Sequence, residues 1–148
     1  MTTSIVVVTG GRAYGADVVF RALDNINGSA LTRCHIRHVY HGACGVRGEA
    51  NWKRDGWRKN LRGADGLAER WCVARGVPSF AFPAFWDDLG NPAGPIRNGW
   101  MLGAAKTAAA ASGFDLVLLA FPGHDGTFDC VKQAKRLGIG LIDLREIA

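Results

Sequence analysis

Two hydrophobic patterns alternate along the chain: short runs of consecutive apolar residues, and longer stretches in which apolar residues recur every third or fourth position. The first marks strands buried on both faces, the second amphipathic helices. SIVVVTGGR predicts a first strand ending in a tight turn at Gly10 and Gly11. Val18, Val19, Ala22, Leu23 and Ile26 share a helical face over residues 17–26, closed by DNINGS. HIRHVYHGACG reads as a second, less apolar strand that again delivers glycines at its end. Residues 63–75 place Leu67, Ala68, Trp71, Cys72 and Ala74 on one helical face, with Gly76 as the stop. VPSFAF is a third strand and RNGWMLGAAKTAAAA an alanine-rich helix with Gly113 beyond it. FDLVLLAF, residues 126–137 and IGLIDL complete the pattern as strand, helix and fifth strand.

Strands alternating with helices predict an α/β sandwich around a mainly parallel sheet, with right-handed crossovers and strand order 3-2-1-4-5. The carboxyl ends of strands one and four then lie side by side at the topological switch point, where open α/β sheets bind ligands. Each of those strands runs into a glycine turn. FPGHDGT holds Pro122, Gly123, His124, Gly126 and Thr127 at the start of a helix. Bare backbone N–H groups and the positive helix end there suit a phosphate, with the Thr127 hydroxyl and His124 as further donors. TGGR supplies Gly10, Gly11 and Arg12, and the turn after the second strand supplies Gly42, preceded by His41, whose side chain would face the crevice. AGPIRN puts Pro95 in a first helical turn and aims Arg97 and Asn98 at the same crevice. Neither GxGxxG nor GxxxxGK[ST] is present, so ordinary dinucleotide binding and phosphate-loop ATP hydrolysis do not follow.

The 148 residues fit one domain spanning 1–148. A formal charge of +5 favours anionic partners without choosing among them. Cys34, Cys44, Cys72 and Cys130 show no CxxC spacing, and with no secretory signal pattern at the N-terminus the expectation is a cytoplasmic protein with reduced thiols. Cys44 and Cys130, near strand ends, are read as buried spectators. The longest apolar run, from Ala104 to Ala111, is interrupted by Lys106 and Thr107, far short of a membrane span. His35, His38 and His41 recur every third residue, which in a strand divides them between faces, so no metal is expected.

Taken in order, GGRAY, HGAC, GADGLAERW, FPAFW, AGPIRNGWM and FPGHDGT resemble the YspA-like branch of the SLOG superfamily. These are Rossmann-like domains related to DprA and to the cytokinin-activating phosphoribohydrolases. The resemblance covers nearly the whole chain and implies a Rossmann-like three-layer fold, a nucleotide or nucleotide-derived ligand across the glycine turns, no cofactor, and a homodimer. The phosphoribohydrolases carry PGGxGTxxE, whereas this chain has His124 for the second glycine and Cys130 for the glutamate. Asp129 and Asp65 are the remaining acid/base candidates, although a one-residue offset on a helix turns Asp129 by roughly 100° from the glutamate position.

A second departure is an apparent insertion at about residues 46–62, where GVRGEANWKRDGWRKNLR mixes six basic residues with Trp52 and Trp57. Such a mixture can hold phosphates and stack on bases, or form a solvated lid. Phe85 and Trp86, beyond the third strand, either stack on a base or cap the core. Three functions stay open at this point: binding or sensing of a nucleotide-derived ligand, hydrolysis of a nucleotide N-glycosidic or phosphoribosyl bond, and single-stranded nucleic-acid binding through the insertion.

Overall fold

The computed structural model describes residues 2–11, 15–28, 34–49 and 56–146, with the side chain of Cys34 excepted. Its elements are β1 (Thr2–Thr9), α1 (Ala16–Ile26), β2 (Cys34–His41), a 3-10 turn (Trp57–Asn60), α2 (Gly63–Arg75), β3 (Ser79–Ala81), α3 (Trp86–Leu89), α4 (Ala93–Ser112), β4 (Asp115–Ala120), α5 (Asp125–Arg136) and β5 (Gly140–Asp143). All five strands run parallel in the order β3-β2-β1-β4-β5, the Rossmann-like α/β topology expected from the alternation.

The central place of β1 follows from its residues. Ile5, Val6, Val7 and Val8 are fully buried, as a strand covered on both faces requires. Their alternation divides the core. Val6 and Val8 meet Val19 and Leu23 of α1 and Trp71 of α2, while Ile5 and Val7 meet Met101, Leu102 and Ala105 of α4 and Val131 of α5. The pairing of β1 with β4 runs in register from Ser4 against Asp115 to Thr9 against Ala120, so both strands stop at one level and release their turns together.

Several boundaries differ from the pattern-based reading. The alanine-rich helix begins at Ala93, ahead of Arg97, because Pro95 occupies its first turn, where a missing N–H costs no intrahelical bond. The helix α3 spans only Trp86–Leu89, too short for periodicity to register. Ala74 of α2 is exposed rather than on the buried face, lying at the edge of the stripe centred near Ala64, Ala68 and Trp71. That helix is instead buried continuously from Ala64 to Glu69, which brings Asp65 and Glu69 inside. Trp71 is fully buried and donates its indole N–H to Asp24 Oδ1 at 2.9 Å, and Arg75 grips the same carboxylate at 3.0 and 2.8 Å, fastening α2 to α1. Among the described residues no helix is long and apolar enough to cross a membrane.

Candidate functional site

A cavity of about 650 Å³ opens at the carboxyl ends of β1, β2 and β4, bounded by the turns after those strands and the start of α5. Main-chain bonds make the frame. Gly11 N–H donates to Pro122 O at 2.8 Å and Phe121 N–H to Thr9 O at 2.9 Å, locking the β1 and β4 turns to each other. Ala64 N–H donates to Gly11 O at 3.0 Å, adding α2 to the frame. Gly123 is confined: a Cβ there would overlap Thr127 Oγ1 and stand 3.0 Å from Gly11 N. Pro122 and Gly123 thus hold the turns together, while Gly10, Gly11, His124, Gly126 and Thr127 line the cavity. His124 is the N-cap of α5, so unpaired first-turn amides stand beside the cavity, the arrangement that favours anions. Arg12 lies outside the described residues.

The opposite wall is built around Gly42. Its carbonyl accepts a hydrogen bond from Arg97 Nη1, which also donates to Phe82 O at 3.3 Å. A Cβ on Gly42 would overlap the Arg97 guanidinium and come within 3.1 Å of Asp65 Oδ2, so this glycine lets an arginine and a carboxylate converge on the cavity floor. Asp65 is 5% exposed, and its Oδ2 accepts the Cys44 N–H at 3.0 Å. Arg97 Nε donates to Asn98 Oδ1 at 2.9 Å. Its described hydrogen-bond partners are all neutral oxygens, and the Asp65 carboxylate across Gly42 balances part of its charge.

Asn98 lines the cavity, yet its amide is committed to the frame. Nδ2 donates to Gly126 O at 3.1 Å and to Asp129 Oδ2 at 3.0 Å, tying α4 to the first turn of α5. Asp129 stands behind Asn98 and also accepts from Gln133 Nε2 at 2.8 Å. Replacing Asn98 by alanine is expected to cost about 1–3 kcal/mol, since it strands a carbonyl and strips a donor from a half-buried carboxylate. Chemical denaturation of the variant beside wild type measures it.

Behind the turn lies a buried polar cluster. His41 is fully buried and points inward onto α2 rather than toward the crevice. Ala43 N–H donates to His41 Nδ1 at 3.1 Å, so Nε2 carries the proton and donates to Glu69 Oε1 at 2.9 Å. Ser79 Oγ donates to the same oxygen at 2.7 Å and Arg58 Nε to Oε2 at 3.2 Å. The His41 hydrogen bond, ahead of those from Ser79 and the charges nearby, holds the Glu69 carboxyl at about 2. The cluster steadies Ala43, whose φ of 50° is a left-handed conformation costing a residue with a Cβ about 1–2 kcal/mol.

Pattern reading missed Glu69, Arg47 and Arg62. Arg47 and Arg62 line the cavity, the latter as the N-cap of α2. Arg47 pairs with Asp87 at 3.2 Å, whereas the Arg62 guanidinium has no partner among the described residues. The available signal was Asp65 and Glu69 four apart on an otherwise apolar helical face. His35 is exposed and His38 sits edge-on to Phe80, so the three histidines occupy separate environments. Cys44 lines the cavity, while burial pushes the Cys130 thiol up to about 12. Arg58 turns back to Glu69 and lies 4.4 Å from the Trp57 ring centre; Lys53 and Arg54 of the insertion lie outside the described residues.

No family model matches the chain, and no curated protein matches it. Among solved structures, it is similar to DNA processing protein A (DprA) from Streptococcus pneumoniae at 15% identity and a TM-score of 0.44. The match covers 97% of this chain and 60% of that one.

Proposed function

We propose that the cavity binds a nucleotide or nucleotide-derived small ligand, its phosphate at the α5 turn and its remainder over the floor formed by Gly42, Arg97 and Asp65. The observation that carries this reading is the convergence of two interlocked glycine turns, a helix N-terminus and an arginine with neutral hydrogen-bond partners on one cavity at the switch point. The volume falls within the roughly 300–1,000 Å³ of small-molecule sites. The ordered motifs support membership of the YspA-like branch of the SLOG superfamily, for which a nucleotide-derived ligand is the expectation. Binding is favoured over hydrolysis because Cys130 stands where the phosphoribohydrolases carry their glutamate, and the adjacent Asp129 is turned to Asn98 and Gln133. Mass spectrometry of small molecules released from freshly purified protein tests the reading, with titration of nucleoside monophosphates alongside. A retained nucleotide-type mass and saturable binding are expected; an empty protein that binds no nucleotide would refute the proposal.

A further inference from the structure

The cavity has two chemically different ends, and they follow the order of the strands. Beyond β1 and β4 lie backbone amides and the Thr127 hydroxyl. Beyond β2 and β3 lie Val46, Ala84 and Trp86, with Met101 of α4 beneath. From β4 to β3 is three strand spacings, on the order of 14 Å. Val46, Ala84 and Met101 are at most 3% exposed, so the apolar surface at that end belongs largely to the half-buried Trp86.

The Trp86 ring is backed by α4, and the short helix that carries it is fastened to the start of the insertion. A Cβ on Gly94 would stand 2.7 Å from Trp86 Cη2 and 3.0 Å from Cζ2, so α4 offers bare backbone where the six-membered ring packs. The segment at residues 46–49, the start of the insertion, is fastened to α3: Asp87 N–H donates to Arg47 O at 2.9 Å, Arg47 Nε to Asp87 Oδ1 at 3.2 Å, and Glu49 N–H to Asp88 Oδ2 at 2.9 Å. The Trp86 indole N–H has no partner among the described residues. An aromatic ring fixed at a cavity wall opposite an anion cradle matches a ligand with a planar base at one end and a phosphate at the other.

We propose that Trp86 is the platform on which the ligand's base stacks, so that the cavity distinguishes a nucleotide from a sugar phosphate. This rests on the nucleotide-binding reading above. The test measures AMP, GMP, CMP, UMP and ribose 5-phosphate by calorimetry on wild type, Trp86→Phe and Trp86→Leu. Leucine keeps apolar bulk over Gly94 but has no π face. Wild type binds at least one nucleotide more tightly than ribose 5-phosphate. Trp86→Phe stays within about threefold of it, and Trp86→Leu loses about ten- to a hundredfold for that nucleotide with ribose 5-phosphate unchanged. Nucleotide affinity preserved in a Trp86→Leu variant that melts like wild type overturns the platform and leaves the nucleotide reading standing. An equal loss for nucleotide and sugar phosphate also overturns it, as a packing role would give. Absence of binding to any of the five probes in wild type removes both. Should Trp86→Leu melt early, the decisive signal is the Trp86 indole N–H resonance of wild type, assigned with Trp86→Phe. A shift on titration with the best nucleotide and none with ribose 5-phosphate supports the platform, and the reverse overturns it.

Discussion

Replacing Glu69 by alanine is expected to destabilise the protein by about 2–4 kcal/mol, because it strands the fully buried His41 Nε2–H and takes the acceptor from the half-buried Ser79 Oγ–H. Arg58 adds little, being largely exposed on its side of the pair. The loss should reach the cavity as well, since His41 holds Ala43 and the turn carries Gly42. The effect also has a pH signature. The Glu69 carboxyl sits at about 2 in the folded chain against an ordinary value near 4.5, so the unfolded chain binds more protons between those values. The contribution is therefore complete above about pH 4.5 and fades as pH falls toward 2. Urea unfolding of wild type and Glu69→Gln at pH 7 and pH 3 checks this: the gap between them should be large at pH 7 and narrower at pH 3. A constant gap would mean that the carboxylate's charge is not the stabilising element.

Arg97→Ala is expected to lower affinity for a nucleoside monophosphate by about ten- to a hundredfold, the size of one charge-assisted hydrogen bond. Its loss also unlinks Gly42 O from Phe82 O, so the floor loosens with the charge. Asp129→Asn should leave affinity within about threefold, because that carboxylate faces Asn98 and Gln133. Neither variant nor wild type should release free base from the nucleotide. Calorimetry measures the first two outcomes and chromatography of the incubated nucleotide the third. Base release by wild type that vanishes in Asp129→Asn, or in Asp65→Asn, would assign hydrolysis to this cavity and the acid/base role to that residue.

The sheet was readable because its determinants are local. A run such as Ile5–Val8 has few folded fates other than a strand covered on both faces, and glycines at its end mark the turn. The glycine positions of the site were readable for the same reason. The roles of its side chains were less so. Asn98 reads as a ligand contact from position alone, but both its amide hydrogens are taken by Gly126 and Asp129. His41 at a strand end reads as crevice-facing, and only the burial of Glu69 on a different element turns it inward. Arg62 becomes interesting once α2 starts beside the β2 turn, a meeting set by Arg62 N–H donating to Cys44 O at 2.8 Å. Trp86 offered two readings in the sequence, and the space above Gly94 is a tertiary fact that no spacing encodes.

The frame that joins the two glycine turns is made of peptide groups: Gly11 to Pro122, Phe121 to Thr9, Ala64 to Gly11. Peptide groups are common to all residues, so substitution can pass through most of this region without breaking the frame. What substitution cannot do cheaply is place a methyl group on Gly123, against Thr127 and the Gly11 amide, or on Gly45, against the Asn60 carbonyl, where the space is already filled. A lineage carrying this architecture would therefore keep empty positions more faithfully than functional side chains. Its ancestry would be written in where side chains are forbidden, a record that drifts out of reach of residue-by-residue similarity while the cradle itself persists.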